Sequence, residues 1–195
     1  MLEANGEDRI IVFTGPDGSG RKSIALAVGQ TFGMVRIISY VTRQPRRGEI
    51  DGQDYFFVSK EAYERMEREG QFLESVRIDG HSYGVRREDV ERLLDKHGYV
   101  YLVLNREGAE ILKDLYGDKV VRLFLYADRE TLEQRLTDMG LDPDVIAKRM
   151  AHYDDQMDYR DACEHAYGNY ILADTISRIT ETLEEYFQRD LIDKD

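Results

Sequence analysis

The chain has 195 residues, of which 42% are hydrophobic and 34% charged, enough apolar mass for a sizeable core in one domain. A formal net charge of −12 argues against a nucleic acid or an anionic membrane bound over a broad surface, yet leaves room for small anions wherever basic residues converge. The lone cysteine, Cys163, excludes an intramolecular disulfide, and no cluster of Cys and His has zinc-site spacing.

Residues 1–9 are polar and acidic, unlike a secretory signal, and no apolar run approaches the roughly 20 residues of a membrane-spanning helix. A cytoplasmic location is expected by default. Without an internal repeat, low-complexity tract or Pro/Ser-rich linker, residues 1–195 are expected to form a single unit.

Ile10-Ile11-Val12-Phe13 breaks into Gly15-Pro16-Asp17-Gly18-Ser19-Gly20-Arg21-Lys22-Ser23 and then enters Ile24-Ala25-Leu26-Ala27-Val28. This reads as buried strand, phosphate loop and helix, in which glycines aim backbone N–H groups into one concavity at a helix N-terminus. Gly15 and Gly20 have the spacing of a P-loop, but Arg21 stands where lysine is usual and Lys22 where a hydroxyl is usual. A glycine-rich turn without a ligand would look similar.

Gly33 is expected to end the helix, and Val35-Arg36-Ile37-Ile38 to form a second strand running into Ser39, which begins a parallel sheet. Thr42-Arg43-Gln44-Pro45-Arg46-Arg47-Gly48-Glu49 is a basic island suited to capturing a phosphate, or else a solvated charged loop. Tyr55–Val58 reads as a short strand, Lys60–Arg68 as a helix capped by Ser59, and Phe72–Ile78 with His81–Val85 as a hairpin turning at Asp79-Gly80. Arg86–Lys96 reads as a charged amphipathic helix leading out of a small, partly antiparallel lobe.

Tyr99–Leu104 is a continuous apolar run of the kind that fills a strand buried on both faces, and Val120–Tyr126 is the next. A helix is expected over Glu107–Leu115, another after the cap Asp128, and a further one through Ile146 and Met150. The break around Gly140 between the last two suits either a movable lid or an ordinary loop. Tyr170-Ile171-Leu172 reads as a last short strand, with Thr175 opening a terminal helix. Cys163 reads as an ordinary side chain near a helix.

The island and the strand after it, Thr42-Arg43-x-Pro45-Arg46-x-Gly48-Glu49-x-x-Gly52-x-x-Tyr55-x-Phe57-Val58, resemble the GMP-binding signature of guanylate kinases; Gly70-x-Phe72-Leu73-Glu74, Tyr83-Gly84 and the order of core strands and helices extend the resemblance over almost the whole chain. The resemblance implies an α/β fold: a P-loop parallel sheet flanked by helices (about 8–38 and 97–195), an inserted GMP-binding lobe (about 39–96) and a short lid (about 137–147). It implies that Arg43, Arg46, Tyr55 and Tyr83 hold the phosphate of GMP while Ser39 and Glu74 read the base. A carboxylate can accept from the guanine N1–H and exocyclic amine, a donor pair that adenine lacks; without the resemblance Glu74 would read as a solvent-facing strand residue.

On the donor side the resemblance assigns ATP, with Mg²⁺, to Gly15, Gly18, Ser19, Gly20, Arg21, Lys22, Ser23 and Arg135, with Arg21, Lys22, Arg43 and Arg149 as catalytic cations. No residue is assigned as a metal ligand. The chain departs from the family pattern at Arg21 and Lys22, at Val103 and Asn105 in place of an Asp pair, at Val85 in place of a hydroxyl, and at Thr137-Asp138-Met139-Gly140 in place of an arginine-rich lid. Three functional readings follow: a kinase moving the γ-phosphate of ATP to GMP, a guanylate-kinase-like module that binds GMP or a protein without turnover, and a kinase with another acceptor. The expected partners are nucleotides rather than nucleic acid or membrane, and the expected state is monomer or homodimer.

Overall fold

The computed structural model of the protein describes residues 8–187. The apolar run of β1 (Arg9–Thr14) lies at the centre of a parallel five-stranded sheet. Its other strands are β2 (Val35–Arg36), β7 (Tyr99–Val103), β8 (Val120–Tyr126) and β9 (His165–Gly168), in the order β2-β7-β1-β8-β9. Ile10 sits beside both Val100 and Val120.

Alternation along β1 sends Ile11 and Phe13 to one face and Ile10 and Val12 to the other. The first pair packs with Ile24 and Val28 of α1 (Arg21–Phe32) and Ile179 and Leu183 of α8 (Leu172–Phe187). The second packs with Val90 and Leu94 of α3 (Arg87–His97) and Ala109 and Leu112 of α4 (Arg106–Tyr116). Helices on both faces explain why these strands are apolar throughout rather than alternating.

A second sheet, ordered β4-β3-β6-β5, joins β3 (Tyr40–Val41), β4 (Phe56–Phe57), β5 (Phe72–Ile78) and β6 (His81–Arg86). Beside it, Ser59 caps α2 (Lys60–Arg68) by accepting from the Ala62 N–H at 3.1 Å. The β5–β6 hairpin turns at Asp79 and Gly80, both with positive φ, the conformation that a two-residue turn between twisted strands requires. Farther along, α5 (Arg129–Asp138) and α6 (Pro143–Met150) meet at Leu132, Leu136, Ile146 and Met150 around the Gly140 break. The short α7 (Tyr153–Met157) follows.

Two expectations need correction. The last strand is His165–Gly168, not Tyr170-Ile171-Leu172: Tyr170 and Ile171 are exposed, and Leu172 already begins α8, so Thr175 lies inside that helix. Pairing of Leu123 with His165 through Tyr126 with Gly168 selects the less apolar segment, because it is the one that continues the sheet. The second strand keeps only Val35–Arg36, and the buried Ile37 just past its end still donates its N–H to the Tyr101 carbonyl of β7 at 2.9 Å.

Candidate active site

The turn after β1 is shaped by close approach. Gly15 has φ 132° and presses against the Leu125 carbonyl, where a Cβ would collide. Gly20, at φ 85°, caps α1 against Asn169, whose Nδ2 donates to the Ser19 carbonyl at 2.9 Å. Ser19 is buried, and its Oγ has no hydrogen-bond partner among the described residues.

Three arginines surround this loop. Arg21 donates from Nη2 to Asp17 Oδ1 at 2.7 Å and from Nη1 to the Leu104 carbonyl at 3.4 Å. Arg149 Nε lies 3.9 Å from Asp17 Oδ2. Arg135 donates to the Gly18 carbonyl at 3.4 Å and the Asn169 carbonyl at 2.7 Å. Asp17 thus gathers two cations at the mouth of an anion-shaped turn. Ser23 instead opens, with Lys22, Leu26, Arg36, Asp54, Tyr101 and Val103, onto a cleft of about 170 Å³ lined by α1, β2 and β7.

The basic island forms the second cluster. Arg43 is only 8% exposed; its Nη1 and Nη2 grip Glu49 at 2.6 and 2.8 Å, and its Nε donates to Tyr83 Oη at 3.2 Å. Its guanidinium lies 5.0 Å from the Tyr55 ring centroid, and the Tyr55 and Tyr83 rings meet edge to face at 6.1 Å. Burial opposes the Arg43 charge, but the hydrogen bonds with Glu49 and Tyr83 outweigh it and hold its pKa above the ordinary value. Burial likewise opposes the Glu49 charge, and the bonds from Arg43 and the Arg46 N–H bring its pKa down to about 2. Arg46 contributes that backbone N–H at 2.8 Å while its side chain is exposed. Ser39 is half-buried and its carbonyl accepts from the Phe56 N–H at 2.9 Å.

Glu74 is the outlier. Alternation puts it on the same face as Val76, which is also buried, and an irregularity in β5 between Phe72 and Glu74 lets Leu73 be buried beside it. Glu74 is 4% exposed, and its Oε2 has no hydrogen-bond partner among the described residues. Burial, and then the Glu107 carboxylate, push its pKa up to about 8. The neighbour that makes room is Gly108, where a Cβ would lie 3.2 Å from Glu74 Oε2 and 3.3 Å from Asn105 Oδ1. Asn105 caps α4 by accepting from the Gly108 N–H at 3.0 Å.

The fold therefore collects Arg43, Tyr55 and Tyr83 in one cluster, and Arg21, Arg135 and Arg149 around the loop. Asp17, Gly108 and Asn169 are structural members of these groups that no motif position announced. Asn169 is 150 residues from Ser19 along the chain, and its N–H donates to the Tyr126 carbonyl at 2.7 Å just past the β8–β9 pairing, so the sheet is what brings it to the loop. Cys163 is half-buried, with burial pushing its thiol up to about 12, which leaves it protonated and unreactive. Among the described residues, no three Asp, Glu, His or Cys side chains group so as to hold a metal ion.

Residues 7–190 match the family model described as guanylate kinase. The guanylate kinase of Thermus thermophilus is 33% identical, over 94% of this chain and 90% of the relative. That of Wolbachia pipientis is 31% identical over 99% of this chain and 96% of its own length. A crystal structure of guanylate kinase from Anaplasma phagocytophilum superposes with a TM-score of 0.78 at 26% identity, covering 97% of this chain and 90% of that one. The P-loop on a parallel sheet, the arginine and tyrosine cluster and these relatives agree: the chain belongs to the guanylate kinase family.

Proposed function

We propose that the chain is an ATP:GMP phosphotransferase in which the Arg43 cluster takes the acceptor phosphate, Glu74 reads guanine, and the Gly15–Ser23 loop takes the donor phosphates. The observation that carries this reading is the buried Glu74 oxygen without a partner. An unsatisfied buried carboxylate is costly, and the guanine N1–H and amino group are two donors of the right kind to satisfy it. Family members of similar length bear the same activity in their names.

A phosphate oxygen of GMP attacks the γ-phosphorus of ATP, the bond to the β–γ bridging oxygen breaks, and ADP leaves with that oxygen. No general base is required, because the attacking oxygen is already anionic. The work of the chain is alignment and neutralisation of charge. Arg43, with the Tyr55 and Tyr83 hydroxyls, orients the acceptor, Arg135 and Arg149 approach the donor from the α5 and α6 side, and Arg21 supplies charge at the loop. Arg21 must leave Asp17 to reach a phosphate, an exchange that a more highly charged anion drives. Magnesium enters as part of the substrate Mg-ATP, held by phosphate oxygens and water, since the residues around the loop do not themselves form a ligand set for it. No helix among the described residues is long and apolar enough to cross a membrane, and we assign the enzyme to the cytoplasm, where its nucleotides are.

The test is a coupled assay of ADP release with Mg-ATP and each nucleoside monophosphate, run beside calorimetric titration. Turnover with GMP is expected. Tight GMP binding without turnover would mark a binding module instead, and turnover with a different acceptor alone would remove Glu74 as a guanine reader.

A further inference from the structure

The two cations that open α1 go separate ways. Arg21 turns back to Asp17 in its own loop, whereas Lys22 crosses to the connection between β3 and β4. Lys22 Nζ lies 3.5 Å from Glu49 Oε1, 3.9 Å from Asp54 Oδ1 and 4.8 Å from the Tyr55 ring centroid. The Arg43 guanidinium lies 5.0 Å from that same centroid and grips the same Glu49 carboxylate. With the Arg46 N–H added, Glu49 is ringed by donors much as a small anion would be.

These contacts of Lys22 are built to exchange. Its side chain is 45% exposed and its ion pairs are long, so they contribute little to stability. A phosphate set against Tyr55 would find the ammonium within reach of one rotamer change, and would offer it more negative charge than Glu49 does. We propose that Lys22, although it belongs to the phosphate loop by sequence, is an acceptor-phosphate residue: its ammonium leaves Glu49 and Asp54 to bind the phosphate of GMP opposite Arg43. In that position it also offsets the repulsion between the acceptor phosphate and the incoming γ-phosphate, and it couples the loop to the second sheet when the acceptor is present. The assignment rests on the phosphotransferase reading above.

Lys22→Met and Lys22→Arg separate this role from a tether between the sheets. Each is titrated calorimetrically with GMP, with guanosine and with ATP, one ligand at a time, beside the wild-type protein, whose turnover is measured in parallel. For Lys22→Met the GMP Kd is expected to rise about tenfold or more, as a charged hydrogen bond is lost, while guanosine and ATP stay within about twofold. Lys22→Arg should recover most of the GMP affinity. Unchanged GMP affinity in Lys22→Met overturns the assignment, as does a loss shared equally by guanosine, or a loss falling on ATP instead. If the wild-type protein turns over GMP while Lys22→Met binds it equally well, only this assignment falls. A wild-type protein that does not bind GMP overturns the assignment and the phosphotransferase reading together.

Discussion

At Glu74, burial and the Glu107 carboxylate raise the pKa to about 8, so near neutral pH the side chain of the free protein is largely protonated. Accepting two hydrogen bonds from guanine needs the ionised form, so GMP binding should expel a proton. Calorimetry in two buffers of different ionisation enthalpy should detect that release near neutral pH and find it fading above about 8, with GMP affinity rising over the same interval. Glu74→Gln should abolish the release and weaken GMP by about 1–3 kcal/mol. The same shift bears on stability with a definite sign. A carboxyl whose folded pKa is raised stabilises fully below its unfolded value of 4.5 and loses that contribution as pH rises through about 8. Glu74→Gln should therefore be more stable than wild type in alkaline buffer, measured by urea denaturation, and a variant less stable there would contradict the burial argument.

Among the elements, β8 carries a charge in an otherwise apolar run. Arg122 donates to Tyr159 Oη at 2.8 Å and to both oxygens of Glu164, at 3.0 and 2.9 Å, while Lys113 of α4 reaches Glu164 at 3.0 Å. This network pins the segment before β9 to the sheet. Burial opposes the Glu164 charge, but the bonds from Arg122 and Lys113 bring its pKa down to about 2. Its stabilisation is thus present above 4.5 and lost as pH falls through about 2. Glu164→Ala leaves Arg122 without its main partner and should cost about 3 kcal/mol by chemical denaturation; a loss within experimental error would mean water replaces the carboxylate freely. The loop rests on Asn169 in the same way. Asn169→Ala frees the Ser19 carbonyl and should raise the KM for ATP several-fold with the KM for GMP little changed. An effect on GMP alone would separate Asn169 from the donor loop.

At the scale of the whole molecule, one basic cluster lies at the loop after β1 and another beside the second sheet, the two sites of the proposed transfer, and Lys22 with Glu49 and Asp54 lies between them. Much of this could be read from residue order. The apolar run of β1, its glycine break, the Asp79-Gly80 hairpin and the arginine–tyrosine spacing are local patterns, and local patterns survive in sequence. What escaped depends on long-range placement. β9 is chosen by its pairing with β8 rather than by hydropathy, so the apolar Tyr170-Ile171-Leu172 misleads. Glu74 shares the buried face of Val76, but a carboxylate is not the residue type expected there, and the direction of Lys22 follows from which acidic residues the connection between β3 and β4 brings near it. Phosphoryl transfer from ATP to GMP is read most directly as ADP release by the purified protein with Mg-ATP and each nucleoside monophosphate in turn. Sustained release with GMP and little with AMP, CMP or UMP is expected; no release with GMP, or equal release with AMP, would rule out a GMP-selective kinase.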